Sequence, residues 1–174
     1  MAKRHILICG ERGVGKSTLI RRLLDECTLR VGGFTTVREK TADERGFYPI
    51  YLHPAAKERS CGEENLIGRC DSRESVRFTE VFDTLGVECL RDSEAEVLLM
   101  DELGFLENDA EEFKAAVLCA LAGDTPVIAA VKAKCTPFLD AVRASEKASV
   151  VHIDADNRDA LFDELLPIVR AWRD

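Results

Sequence analysis

The run Gly10-Glu11-Arg12-Gly13-Val14-Gly15-Lys16-Ser17 fits the phosphate-cradling pattern G-x-x-x-x-G-K-[ST] at every fixed position. Each fixed residue type has a chemical task. Glycines at 10, 13 and 15 let the backbone turn tightly and aim successive N–H groups at phosphate oxygens. Lys16 supplies a point charge for β- and γ-phosphates, and the Ser17 hydroxyl is placed to ligate Mg²⁺. Gly10, Glu11, Arg12, Gly13, Val14, Gly15, Lys16, Ser17 and Thr18 are therefore the candidate nucleotide-binding residues, a Walker A loop.

A second signal lies downstream. Val97-Leu98-Leu99-Met100-Asp101-Glu102 is an apolar strand ending in two adjacent carboxylates, the pattern of a Walker B strand. An aspartate so placed holds Mg²⁺, usually through water, and completes what Ser17 begins. A glutamate next to it polarises an attacking water. Adjacent residues on an extended strand point to opposite sides, so the two are not expected to share one role. Ser17 and Asp101 are thus the candidate metal site, and Lys16 and Glu102 the candidate catalytic groups. A solvated acidic strand end is the plain alternative.

The surrounding chain supplies elements that suit these motifs. His5-Ile6-Leu7-Ile8-Cys9 is a short apolar run ending at Gly10 and reads as a buried strand. Leu19, Ile20, Leu23, Leu24 and Cys27 recur at helical spacing, so a helix starts near Lys16 and adds its positive end to the pocket. Residues 31–38 and 47–52 read as a hairpin around the turn 41–46. Pro49 in its second strand implies an edge or a bulge. The polar segment 53–72 is expected to be an irregular, mobile loop.

Phe78, Val81, Phe82, Leu85 and Cys89 mark a helix, and Asn108-x-x-Glu111 resembles a capping box opening another. Residues 126–131 and 149–153 read as further buried strands. Thr136-Pro137 caps a helix, and Leu161, Phe162, Leu165, Ile168, Val169 and Trp172 form the apolar face of the last. Alternating strands and helices predict an α/β fold with a mostly parallel central sheet, helices on both faces and a β-hairpin after the first helix. No linker or repeat divides the 174 residues, so one domain over 1–174 is expected, with nucleotide at the carboxyl ends of the strands.

Composition narrows the function classes. A formal net charge of −8 argues against a general nucleic-acid binder. The start Met1-Ala2-Lys3-Arg4 leads into too few apolar residues for a secretory signal, and no run approaches a membrane span. A cytoplasmic protein with no membrane partner is expected, its seven cysteines reduced. His53, Cys61 and Cys70 share the polar segment, but their spacing does not match a zinc knuckle. Lys132-Ala133-Lys134 follows a strand at the sheet's carboxyl end and reads as a solvated loop, with contact to base or phosphate the alternative.

Four blocks together resemble a known family. Gly10 to Thr18, Gly33-Phe34-Thr35-Thr36-Val37-Arg38-Glu39, Arg45-Gly46-Phe47 and Asp101-Glu102-Leu103-Gly104-Phe105-Leu106-Glu107 are similar, in order and spacing, to THEP1-type nucleoside-triphosphatases. The resemblance implies a P-loop NTPase fold and Mg²⁺-dependent hydrolysis of nucleoside triphosphates to diphosphates, with broad base tolerance. It implies Lys16 and Ser17 on phosphate and metal, Asp101 supporting the metal, and Glu102 as base. Phe105 stands where that family usually has lysine. The hairpin block is expected to gather Thr36, Arg38 and Arg45, with Arg45 the candidate catalytic arginine that neutralises charge on the phosphoryl group. Solvated hairpin charges are the alternative. Transfer to a nucleotide or small-molecule acceptor, or a slow nucleotide-dependent switch, are competing readings. The absence of N-K-x-D after a strand removes the usual device for guanine selectivity.

Overall fold

A computed structural model describes residues 3–173. Met1 and Ala2, part of the N-terminal stretch read for targeting, lie outside them. The described residues form one eight-stranded sheet in the order β5-β4-β3-β2-β6-β7-β1-β8. Its elements are β1 (His5–Gly10), α1 (Lys16–Asp25), β2 (Val31–Arg38), β3 (Tyr48–Pro54), β4 (Leu66–Cys70) and β5 (Ser75–Arg77). Next come α2 (Thr79–Val81), a π-helical stretch Phe82–Gly86, α3 (Val87–Leu90), β6 (Val97–Leu103) and α4 (Glu111–Ala122). The chain ends with β7 (Val127–Lys132), α5 (Pro137–Arg143), β8 (Ala148–His152) and α6 (Arg158–Arg170). Strands β2, β6, β7, β1 and β8 run parallel, and β3, β4 and β5 extend the β2 side antiparallel.

The parallel strands bury both faces, as helix-covered sheets do. Along β1, Leu7 and Cys9 join a core with Phe82, Phe113, Val117 and Leu139. Ile6 and Ile8 face the opposite way, toward Leu19, Ile20 and Leu23 of α1 and Leu161, Leu165 and Val169 of α6. Phe113 packs against Phe34 and Phe82 with ring centroids 5.4 and 5.0 Å apart. The period of two on the strands thus sorts the chain's apolar residues into two layers. No helix among the described residues is long and apolar enough to cross a membrane.

Two expectations are corrected, and of the two alternatives for Pro49 the edge strand is excluded while an irregularity lies beside it. The segment 53–72 is not one irregular loop: it holds the end of β3, a 3₁₀ turn over Glu63–Asn65 and β4. Buried Asn65 donates to the Leu52 and Ser60 carbonyls at 3.0 and 2.7 Å, and lies 3.3 Å from His53 Nδ1. The excursion is thereby fastened to β3. Leu66 and Ile67 bury against that strand, and pairing with β3 overrides the polar composition.

The 111–122 helix does not start with an Asn108 box. The chain turns twice first, Asn108 N–H donating to the Phe105 carbonyl and Ala110 N–H to that of Glu107. The Asp83 carboxylate, from the π-helical stretch, accepts from the Phe113 N–H at 2.9 Å and serves as the distant cap. Pro49 lies on an internal strand, paired to β2 and β4, with the register irregularity falling next to it between Ile50 and Tyr51. Thr136 does cap α5 as expected, its hydroxyl accepting from the Leu139 N–H at 3.1 Å.

One glycine decides whether β2 joins the parallel sheet. Gly33 has φ +88°, and an added Cβ would run into the Leu99 carbonyl on β6. Gly46, at the hairpin turn, has φ +82° but open space around it. Gly46→Ala should cost only the left-handed backbone penalty of about 1–2 kcal/mol. That lowers the melting temperature by about 2–4 °C per kcal/mol in a chain of this size. Gly33→Ala adds displacement of β2 from β6, and its measured drop should be at least about twice as large.

His5 gives a pH signature. It is fully buried, and its Nδ1 accepts from the Val127 N–H at 3.1 Å. Burial lowers its pKa below the ordinary 6.5. The folded state therefore resists protonation that the unfolded state accepts below pH 6.5, so this contribution is full above that pH. It is lost as pH falls toward the lowered value, by up to about 1.4 kcal/mol per pH unit. Urea unfolding from pH 7.5 to 5.5 should show a smaller stability loss for His5→Asn than for the unmodified chain.

Candidate active site

The phosphate loop leaves the carboxyl end of β1, and α1 starts at Lys16 behind a left-handed Gly15 with φ 106° and ψ 18°. Gly13 is also left-handed at φ +80°. Together they turn the backbone so that the α1 N-terminus opens into a pocket of about 300 Å³, lined by Gly13, Lys16, Ser17, Thr36, Asp101 and Glu102 among others. The expected loop residues and both carboxylates are therefore gathered in one place.

Lys16 is 5% exposed, and its ammonium has three acceptors. Nζ donates to the Gly10 and Glu11 carbonyls at 2.8 Å each and lies 3.1 Å from Glu102 Oε2. Ser17 Oγ donates to Asp101 Oδ1 at 2.8 Å. Burial, first, and the neighbouring Glu102 charge raise the Asp101 carboxyl above its usual range, opposed by the Ser17 hydrogen bond. A hydroxyl beside a half-buried, charge-crowded carboxylate is a hard-oxygen donor set that suits a divalent cation completing its shell with phosphate and water. No group of three or more His, Cys, Asp or Glu gathers as a metal cage among the described residues. His53, Cys61 and Cys70 do not meet as ligands there: His53 is buried beside Asn65, Cys61 lies against Glu39, and Cys70 against Arg38.

Asp101 and Glu102 do not divide to opposite sides as a regular strand would require. The β6–β7 register passes from Asp101↔Ala130 to Leu103↔Val131, so Glu102 is an extra residue on the β6 side. That bulge brings both carboxylates to the same pocket. The Glu102 N–H donates to Thr36 Oγ1 at 3.2 Å, tying the bulge to β2. Buried Glu107 accepts from the Gly104 N–H and fixes the next turn of the chain. Burial, first, raises its carboxyl above the usual range.

Two hairpin residues take different places. Arg45 is exposed at the 41–46 turn, its N–H bonded to the Asp43 carboxylate, and it does not line the phosphate pocket. Arg38 instead lines the adjoining cleft, stacked 4.0 Å over the Tyr48 ring.

Lys132, which the sequence places in a solvated loop, belongs to the site. Strand β7 lies between β1 and β6, and its last residue, Lys132, stands in register with Gly10. Its Nζ is 3.5 Å from Glu102 Oε1 and 4.5 Å from the Phe105 ring centroid. Its position at the carboxyl end of a parallel strand is the signal that favours a site role over a solvated one.

The chain is similar to known proteins along most of its length. A family model described as NTPase matches residues 5–166. A protein named nucleoside-triphosphatase THEP1 from Thermotoga petrophila is 29% identical over 175 residues, covering 95% of this chain and 92% of its own length. A cancer-related nucleoside-triphosphatase homolog from Mus musculus is 29% identical over 189 residues, with 98% of each chain covered. The crystal structure of THEP1 from the hyperthermophile Aquifex aeolicus shares the fold, with a TM-score of 0.74 at 20% identity over 95% of this chain and 98% of that one. The chain belongs to the THEP1-type nucleoside-triphosphatase family and is an NTPase enzyme.

Proposed function

We propose that the chain hydrolyses the β–γ bond of nucleoside triphosphates with Mg²⁺ and little regard for the base, and that Glu102 is the group that activates water. The observation that carries this is the Glu102 carboxylate at the mouth of the phosphate loop, 3.1 Å from Lys16 and 3.5 Å from Lys132. In this reading the loop N–H groups and Lys16 hold the β- and γ-phosphates and meet the charge that develops on them. Ser17 and Asp101 would hold Mg²⁺, which supplies charge neutralisation across the same phosphates. Glu102 orients a water on the γ-phosphorus and accepts its proton, while Thr36 holds the Glu102 backbone through its N–H and Lys132 pairs with the carboxylate.

Broad base tolerance has a structural rationale. Beside the loop, sharing Gly15 and Thr18 with the pocket but not lined by Glu102, lies a hollow of about 300 Å³ bounded by Arg22, Asp156, Arg158 and Asp159. These are mostly exposed charged side chains on an open surface, suited to cover a base without reading its edge. Arg45 stays a weaker proposal: it would have to swing in from the exposed turn to reach a phosphoryl group.

Phosphate release with Mg²⁺ should proceed at similar rates with ATP, GTP, CTP and UTP, and should stop on chelation. Glu102→Gln should keep nucleotide binding and slow turnover by about 10²–10⁴-fold. Turnover at the unmodified rate in that variant would refute the assignment of the base. Lys16→Ala removes a charged contact to phosphate worth about 1.5–3 kcal/mol. Titration with a fluorescent nucleotide should therefore show binding weakened by about 10–100-fold, together with loss of activity.

A further inference from the structure

The proposed hydrolysis has a direction. Nucleophile and leaving diphosphate lie in line on opposite sides of the γ-phosphorus. Glu102 marks the attacking side, so diphosphate, ribose and base run away from it toward Thr18 and Arg158. On the attacking side lies a larger cavity of about 460 Å³ that shares Arg12, Thr36 and Glu102 with the phosphate pocket. A water molecule occupies about 30 Å³ of liquid. Hydrolysis alone has no use for a space an order of magnitude larger.

The charged walls of this cavity carry both signs beside an apolar part. Ile50, Ile67 and Phe105 are apolar, and Arg12, Arg38, Lys132 and Lys134 are positive. Glu11, Glu102 and Glu107 are acidic, with Glu107 turned to the Gly104 N–H. Lys132 is engaged with Glu102. Lys134 lies 4.6 Å over the Phe105 ring, and Arg38 stacks on Tyr48 with its Nε donating to Cys70 Sγ. Neither Lys134 nor Arg38 has a carboxylate within ion-pair distance among the described residues. In a chain of net charge −8, two such cations facing one cavity make it attractive to an anion. Glu102 then selects the nucleophile. An anionic oxygen would meet a like charge there, whereas a hydroxyl can give the carboxylate its proton.

Resting on the hydrolytic reading of Glu102, we propose that this cleft is an acceptor site for a small organic anion that carries a hydroxyl group on an apolar body. The bound hydroxyl takes the γ-phosphoryl group in place of water. The hydroxyl oxygen forms a bond to the γ-phosphorus as the bond from that phosphorus to the β–γ bridging oxygen breaks. The electron pair of the broken bond leaves with the nucleoside diphosphate. The hydroxyl proton passes to Glu102 and then to solvent. The products are a phosphomonoester and a nucleoside diphosphate. The anionic group rests against Lys134 and Arg38, and the apolar body against Ile50, Ile67 and Phe105.

The test uses the full chain with Mg²⁺ and ATP radiolabelled in its γ-phosphoryl group. The probes are 4-(hydroxymethyl)benzoate, mandelate and a protein-free cell extract resolved on an anion exchanger. Chromatography then separates labelled inorganic phosphate from labelled phosphomonoesters. Label should appear in an organic anion. Lys134→Glu should reduce that transfer by about tenfold or more while release of inorganic phosphate continues. Ser75→Trp should act likewise, because Ser75 is an exposed residue on the cleft's outer wall and a larger side chain there fills the cleft without entering the core.

Label confined to inorganic phosphate with every probe and fraction overturns the proposal, as does transfer that neither variant diminishes. Glu102→Gln separates the two readings. Hydrolysis at the unmodified rate would remove the assignment of Glu102 and the acceptor site with it. Slow hydrolysis in that variant, with no organic product from the unmodified chain, would sink the acceptor site alone.

Discussion

The burial of the Lys16 ammonium is the constraint around which the site is built. A charge withdrawn from water is tolerated only where its donors are matched. All three ammonium N–H groups have an acceptor, two of them backbone carbonyls of the phosphate loop and the third Glu102. In the proposed reading, phosphate binding would be an exchange of partners around a charge that is already desolvated. The net gain would then be smaller than the bare attraction between lysine and phosphate. The same exchange would free a Glu102 oxygen from Lys16.

That arrangement exists because of strand order. The loop strand β1 and the acidic strand β6 are not neighbours: β7 lies between them. Two inter-strand spacings of about 4.8 Å separate the two carboxyl ends. The gap leaves room for a phosphoryl group, and the end of β7 delivers Lys132 into it. The bulge at Glu102 then turns a strand that would point one carboxylate away into one that presents both. Gly33 lets β2 approach β6 closely, and Thr36 on the same strand fastens the bulge. Core packing and site geometry are here the same set of contacts.

Much of this was legible along the chain because its signals are local. A glycine loop between an apolar strand and a helical repeat, β2 over residues 31–38, the Asp101-Glu102 strand end and the Thr136 cap all arise from nearest-neighbour chemistry. What was not legible depends on partners distant in sequence. Strands β4 and β5 are short runs within a polar stretch, and exist because β3 offers an edge to β4 and β4 offers one to β5. The capping of α4 by Asp83 spans 30 residues. Lys132 reads as a loop cation until the strand order puts it beside Glu102. Arg45 shows the converse: a residue in a family-like block that stays at an exposed turn, while Arg38, seven residues earlier, faces the cleft.

Strand β5 has a consequence for how the cleft behaves in time. It is three residues long, wholly exposed, and joined to the sheet only through the register Gly68↔Arg77, Arg69↔Val76 and Cys70↔Ser75. Native proteins open first where few backbone hydrogen bonds and little buried apolar surface resist. This margin of the sheet meets both conditions, whereas β1, β6 and β7 are locked between two helical layers. Part of the cleft's outer wall, at Ser75, thus belongs to a lightly fastened strand, while its inner wall is the end of enclosed ones. A cavity bounded in that way should open from one side, its chemistry held fixed while its mouth frays.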